Sequence, residues 1–461
     1  MYIKKRLALG VGLACAALGS TSALAATDAQ ISTAIDNGLA YLATQQTTTG
    51  TNAGAWNYGG YLSAGTGAVV FAMLSQQSHW GDVNPANVAT YQTAVDNGIK
   101  FLLNTTDLQV ATVSTQNNGV NICPGGGSCQ AVYWYGSGES SYTTGLATMA
   151  IDEYAKTQPG GASAIYNGGG PLNGMTYGAI AQALTNTWSA SQSTATNPGG
   201  GTRTGGWRYG LNDSYDSDMS TTQWGILSLI YNQSLGATTP GVVNTQLATW
   251  LTIAQNNNSA SSTYGAGCYQ GPASGICDMA DTGGLLLGLT YLGNTTSVPA
   301  VQKALAFLNA NWPTSANGTW YGNFNDPYAM WAVYKGLELT LGLNDTSFNN
   351  LLDAGCNGAG GPTGGSPPAP ANSVIGGAPD SGVCNWWQDY NQWLVTHQLA
   401  NGSWGGSDYW TGMLATAFDL PILAGVQIPT PPPPGVPEPG SLALLAIGLT
   451  GLGATLRRRK S

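Results

Sequence analysis

Between residues 26 and 428 apolar residues recur at helical spacing in one segment after another. The stretch Ala34-Ile35-Asp36-Asn37-Gly38-Leu39-Ala40-Tyr41-Leu42 is nearly copied by Ala94-Val95-Asp96-Asn97-Gly98-Ile99-Lys100-Phe101-Leu102. Looser copies begin at Gln246, Gln302 and Tyr390. Each puts its apolar residues on one side of a helix, so each predicts an amphipathic element that needs a neighbour to cover it. Gly- and Trp-rich turns follow such segments, at Gly54-Ala55-Trp56, Gly205-Gly206-Trp207, Gly318-Thr319-Trp320 and Gly402-Ser403-Trp404. A second helix, small and apolar throughout, then opens near Thr66, Thr144, Thr222, Thr282 and Thr411; the first three of these lie 78 residues apart. Six helix pairs result, around 30–75, 90–155, 175–232, 243–293, 300–341 and 386–424. Repeated αα-hairpins cannot bury their faces singly and must stack. A closed stack of six leaves no end exposed, and the expectation is one all-α domain over 26–428, an (α/α)6 toroid.

The flanks differ from this pattern. Lys4-Lys5-Arg6, an apolar run from Leu7 to Leu18 and Ala23-Leu24-Ala25 have the order of a secretory signal peptide over 1–25. A Pro-rich linker over 429–436 has no core-forming pattern. Beyond it stand Pro437-Glu438-Pro439, an apolar segment from Leu442 to Leu456, and Arg457-Arg458-Arg459-Lys460. This tripartite layout over 437–461 resembles the PEP-CTERM sorting signal. The resemblance implies an exosortase-type processing enzyme as partner and transient membrane association through the C-terminal segment. It also implies export to the envelope, outer surface or extracellular matrix of a Gram-negative-type bacterium. PEP-CTERM proteins are associated with exopolysaccharide-producing bacteria, so an extracellular polysaccharide is the implied ligand.

Charge narrows the partners. The chain has 13 Lys and Arg residues, seven of them in the two flanks, which leaves residues 26–436 with six basic and 21 acidic groups. Such a body has no electrostatic footprint for nucleic acid. Its surface must be built from Asn, Thr, Ser, Gln, Gly and Tyr, which suits neutral hydroxylated partners. The six cysteines beyond the signal fall into local pairs, Cys123 with Cys129, Cys268 with Cys277 and Cys356 with Cys384, and in an exported chain these read as disulfides. His79 and His397 form no metal-ligand spacing, so no structural metal is expected.

The repeats resemble those of the prenyltransferase and squalene-cyclase superfamily, whose members form (α/α)6 toroids. Gln398-Leu399-Ala400-Asn401-Gly402-Ser403-Trp404 is similar to its Gln-Trp motif, with Gln46 and Trp56 a looser copy. The resemblance implies that an inner helix carries a catalytic acid. Asp216-Ser217-Asp218 matches the start of the D-x-D-D-T motif, but Met219 stands where a further Asp belongs. Three readings of these residues stay open. Asp216 or Asp218 is a catalytic acid, which needs neighbouring carboxyls and donors to be strong enough. Alternatively it caps an inner helix, as Ser63, Ser141, Asp278 and Asp408 are placed to do on others. Thirdly, Asn212, Asp213, Asp216 and Asp218 supply oxygens for calcium, without the Gly of a hand-type loop.

Aromatic residues give the remaining candidates. The chain has 15 Trp and 22 Tyr against 6 Phe. Trp134, Trp207, Arg208, Tyr209, Trp320, Trp386, Trp387, Tyr409 and Trp410 stand near helix ends and turns. There they can offer flat faces with polar edges to a sugar or an apolar ligand, or brace one repeat on the next. The leading expectation is a binding or structural protein; the alternative is a toroid enzyme, either a terpenoid-cyclase relative using Asp218 or a polysaccharide lyase or hydrolase using Tyr209 and Arg208.

Overall fold

The computed structural model describes residues 26–194, 202–211, 215–315, 322–352, 385–407 and 410–431. The expected signal peptide over 1–25, residues 432–436 of the Pro-rich linker and the sorting segment lie outside the described residues. What is described is mostly helical. The twelve α-helices are α1 (Asp28–Thr44), α2 (Leu62–Ser75), α3 (Asn87–Asn104), α4 (Ser140–Thr157), α5 (Tyr177–Ser191) and α6 (Met219–Ser234), followed by α7 (Gly241–Ala254), α8 (Met279–Tyr291), α9 (Pro299–Asn311), α10 (Pro327–Leu341), α11 (Trp386–His397) and α12 (Met413–Leu423). They fall in pairs at the six places where the apolar pattern repeats. One feature departs from a purely helical body. Strands β1 (Leu108–Val113) and β2 (Cys129–Trp134) pair antiparallel between α3 and α4, with Ala111 opposite Ala131.

Odd and even helices bury themselves differently, except α5, which is buried on most sides. On α3 the buried residues keep to one stripe, including Tyr91, Ala94, Val95, Gly98, Ile99 and Leu102. On α2 nearly every residue from Thr66 to Leu74 is buried, so it has neighbours on all sides. The even helices are in contact in sequence, α2 with α4, α4 with α6, α6 with α8, α8 with α10 and α10 with α12, and α12 packs back on α2. Between them aromatic side chains meet: the Phe71 ring is 5.7 Å from Tyr231 and 5.8 Å from Trp331, and Trp224 lies 6.0 Å from Phe418. All five are buried.

One joint recurs where a pair meets the next odd helix. The side-chain amide of Gln46 donates to Ala94 O on α3 at 2.8 Å and to its own loop at Gly54 O at 3.0 Å. Gln192 does the same with Val243 O and Gly205 O, Gln255 with Ala300 O and Gly265 O, and Gln398 with Ala34 O and Gly402 O. The Gln398 joint fastens the last pair to α1. Each loop glycine has positive φ, from +87° to +100°, and a Cβ there would drive into a carbonyl of the next odd helix, Asn97, Gln246, Lys303 or Asn37. Two residues on stands Trp56, Trp207 or Trp404, whose indole N–H bonds Leu42 O, Trp188 O or Leu394 O. The backbone N–H at that place is held by a threonine of the even helix: Trp56 by Thr66, Trp134 by Thr144, Trp207 by Thr222, Gly267 by Thr282 and Trp404 by Thr416. Thr411 precedes α12, and Thr416, inside its first turn, makes the bond.

The two remaining joints are built otherwise. Thr187 on α5 bonds both Val132 N and Val132 O on the free edge of β2, and Trp312 donates to the Asp389 carboxylate on α11 at 2.7 Å.

Carboxyls inside this body titrate upward. Burial raises Asp152, Asp281 and Asp419 well above the usual range, raises Asp278, and takes Glu338 to about 7. A raised carboxyl binds its proton more tightly in the folded chain. Its contribution is complete below the unfolded value, near 4, and is lost as pH rises through the folded one. Buried Lys335 is lowered by desolvation and acts in the opposite sense, one amine against five carboxyls. The melting temperature is therefore expected to fall from pH 4.5 to pH 7.5; a higher value at pH 7.5 in a thermal scan refutes this account of the interior.

The loop glycines give a second prediction. Gly50 (φ +81°) has open space around its missing side chain, whereas Gly54 (φ +93°) abuts Asn97 O. Gly50→Ala is expected to cost about 1 kcal/mol from backbone strain alone, and Gly54→Ala about 2–5 kcal/mol once the clash is added. Chemical denaturation of both variants separates the two; equal losses would remove the steric part of the joint.

Candidate functional site

The segment from Arg203 to Asp218 runs from the α5 joint to the start of α6, and it carries the two arginines of the body. Trp207 and Asp218 pair as an isolated β-bridge, which sets Arg208 beside the helix start. Asp218 is the N-cap of α6. Its Oδ1 accepts from Thr221 N at 2.8 Å, Thr221 Oγ1 at 2.9 Å and Ser220 Oγ at 2.6 Å. Its Oδ2 accepts from Arg208 Nη1 at 2.6 Å. The side chain is fully buried. Burial pushes its pKa up, while Ser220, Arg208 and Thr221 pull it down, and the net direction is upward. Capping at this helix start is thus what the structure shows. Asp278 caps α8 and Asp326 caps α10 in the same manner. Ser63 and Ser141 do not: both lie inside their helices, and Ser141 Oγ instead donates to Arg208 O. Asp408 lies outside the described residues.

Around this pair the side chains are phenols. Arg208 Nη1 also donates to Tyr269 OH at 3.0 Å, and the Tyr269 and Tyr209 hydroxyls are 2.9 Å apart. The guanidinium lies 5.0 Å from the Tyr209 ring centre and 5.5 Å from that of Tyr269, within cation–π range. Tyr142 stacks on Tyr209 at 5.8 Å and donates to Ser220 Oγ. Tyr328 donates to Ser220 O and stacks on Trp410 at 4.7 Å. Burial pushes the phenols of Tyr142, Tyr269 and Tyr328 upward, and Asp218 adds to each. These three hydroxyls are protonated donors at neutral pH. Asp216 is engaged as well: Arg203 grips it with Nε on Oδ1 at 2.7 Å and Nη2 on Oδ2 at 3.1 Å, and Gln270 donates to Oδ2. Asn212 and Asp213 lie outside the described residues. Among the described residues no group of three or more His, Cys, Asp or Glu is placed to hold a metal.

The other sequence candidates separate. Trp134, Trp207, Trp386 and Trp387 are buried, and their indole N–H groups bond backbone carbonyls at Leu102, Trp188, Gly342 and Ile422. They present no face to a ligand; their rings hold helices together. Trp410 is half-buried over Tyr328. Trp320 and Tyr409 lie outside the described residues. Disulfides join Cys123 to Cys129 and Cys268 to Cys277, while Cys356 and Cys384 are outside. The second disulfide fixes the loop that carries Tyr269 and Gln270. The buried His79 bonds the exposed Asp82, and His397 stacks on Trp393. Sequence reasoning missed Tyr142, Tyr269 and Arg203, whose partners are 13 to 78 residues away and have no shared motif.

Residues 435–460 match the PEP-CTERM protein-sorting motif. That signal is recognised by exosortase processing enzymes, and it marks the chain as exported and sorted to the bacterial cell envelope or surface. No curated protein matches the chain. None of the described helices is long and apolar enough to cross a membrane.

The Asp218 geometry sets a stability test. Asp218→Asn keeps a cap acceptor but leaves Arg208 facing an amide, whereas Asp218→Ala removes cap and counter-charge together. The Ala change is expected to cost about 3–5 kcal/mol, as for breaking a buried ion pair, and the Asn change clearly less. Urea unfolding of both variants checks the order; equal costs would mean that the cap contributes nothing.

Proposed function

We propose that this is an exported, non-catalytic (α/α)6 toroid that binds extracellular polysaccharide through the phenol and guanidinium cluster of Arg208, Tyr209 and Tyr269. The closed order of contacts among the even helices, together with the repeated Gln joint that ends on α1, supports the toroid. The Gln–Trp chemistry of those joints supports kinship with the prenyltransferase and squalene-cyclase repeats. A single body over 26–428 between a signal peptide and a Pro-rich linker, in a Gram-negative-type envelope, belongs to the same reading, as does transient membrane association of the C-terminal segment.

The observation that carries a binding role is the state of the Asp218 carboxylate. An acid that protonates an alkene or a glycosidic oxygen needs its proton free to leave toward substrate. Here Oδ1 takes three donors and Oδ2 takes Arg208. The space among the even helices, where a cyclase holds its polyprene, contains Phe71, Trp224, Tyr231, Trp331 and Phe418. Calcium at Asn212, Asp213, Asp216 and Asp218 would have to displace Arg203 and Arg208 from the two carboxylates, so the proposal uses no cation. What the cluster offers is phenol donors, an ion-paired guanidinium and flat rings, which recognise hydroxylated rings by hydrogen bonding and stacking.

The test uses the mature protein, a polyprene and a panel of extracellular polysaccharides. Retention on at least one polysaccharide without product formation is expected, and Tyr209→Ala is expected to weaken retention about tenfold or more. A wild-type product that vanishes in folded Asp218→Asn would make the chain a terpenoid-cyclase-like enzyme. Polysaccharide cleavage lost in Tyr209→Phe would make it a lyase or hydrolase.

A further inference from the structure

Beside this cluster, and resting on the binding role just proposed, lies a second feature. The β1–β2 hairpin, the C-terminal end of α5 and the backbone of Gly210 and Leu211 enclose a half-open cavity of about 300 Å³, at the small end of the range for ligand sites. Strand pairing explains its floor. Ala111 and Ala131 are register partners on one face of the hairpin, and with Ala190 of α5 they withhold the side chains that would fill the space. Thr187 holds α5 to the edge of β2 and so fixes the cavity width.

The wall chemistry is specific in one respect: no lining residue carries a charge. In a body with 21 acidic groups that selects against cations and anions alike. Tyr133 and Tyr135 stand at the wall, and Tyr135 is 59% exposed. Neither hydroxyl has a partner among the described residues, so both are available to a ligand. Ser140 and Ser191 add hydroxyls at the wall. Ser140 accepts from Leu211 N, which ties the cavity to the chain leaving Tyr209.

We propose that this cavity is a subsite for one neutral pyranose unit, stacked on a tyrosine ring and hydrogen-bonded by the two free phenols. It would hold an end or side branch of a glycan whose chain lies on the neighbouring cluster. Uronic acids are excluded, because a carboxylate would find no counter-charge there.

Calorimetry on the mature protein tests this with glucose, galactose, mannose and N-acetylglucosamine trisaccharides, and with trigalacturonate as the charged control. At least one neutral trisaccharide is expected to bind at least tenfold more tightly than trigalacturonate. Ala190→Trp, which fills the cavity, should abolish that binding; Tyr135→Phe, which keeps the ring and removes an exposed hydroxyl, should weaken it about three- to tenfold. No neutral binding, or an Ala190→Trp variant that binds like wild type, overturns the subsite. Polysaccharide retention measured in parallel reports on the wider reading: retention that survives in Ala190→Trp, with neutral trisaccharides silent in wild type, sinks the subsite and leaves the cluster standing. Loss of retention in wild type with trisaccharide binding intact sinks the polymer site alone.

Discussion

Everything in this body depends on how closely one helix pair can approach the backbone of the next. The glutamine amides of residues 46, 192, 255 and 398 each reach a helix carbonyl across the joint, and they can do so because a glycine in the same loop lies flat against that helix. A helix carbonyl already accepts an intrahelical bond, so the glutamine uses its second lone pair. The contact is polar, short and directional. It fixes the rotation of α1, α3, α7 and α9 in a way that apolar packing alone does not, since an amphipathic stripe tolerates sliding.

The even helices show the consequence. Because their surroundings are fixed at every joint, they are buried on all sides and hold aromatic rings between them. That leaves ionisable groups such as Lys335, Asp152 and Asp419 in a dry interior. Lys335 donates to Gln223 Oε1 at 3.0 Å and lies 4.5 Å from the centre of the Trp224 ring, a polar contact and a π-face in place of a counter-ion. Charge is scarce in this chain and mostly acidic, and both arginines of the body are committed to Asp216 and Asp218. Beside the ion-paired Arg208, what the cluster presents to a partner is hydroxyls and rings.

Much of this was legible in the chain because the repeat is written in residues with narrow physical uses. The copies at Ala34–Leu42 and Ala94–Leu102, the Gly-x-Trp turns at 54, 205 and 402 and the threonines at 66, 144, 222 and 282 each mark a place that the structure fills in the same way. The exceptions are informative. The Thr411-Gly412 pair marks where α12 opens, but the threonine that holds the loop, Thr416, stands one helical turn further on. Ser63 and Ser141 looked like caps by spacing, yet their helices begin earlier. The β1–β2 hairpin has a disulfide and aromatic residues that the sequence reading assigned to a loop and to ligand contacts. Trp134, Trp207, Trp386 and Trp387 could not be told from ligand-facing aromatics because burial is a property of the neighbours. Tyr142, Tyr209 and Tyr269 converge from three separate loops and helix starts, and no local pattern records such a meeting.

The Gln398 contact with Ala34 joins residues 364 positions apart. Loop closure over that span is slow compared with the joints between successive pairs. The first five pairs can stack in order on their own neighbours, while the side of α1 that meets α11 and α12 stays uncovered. Completion waits for α11 and α12. These helices are followed, within a few residues, by the Pro-rich stretch and the sorting motif. The last joint therefore makes burial of the first helix depend on the pair that stands nearest the sorting motif.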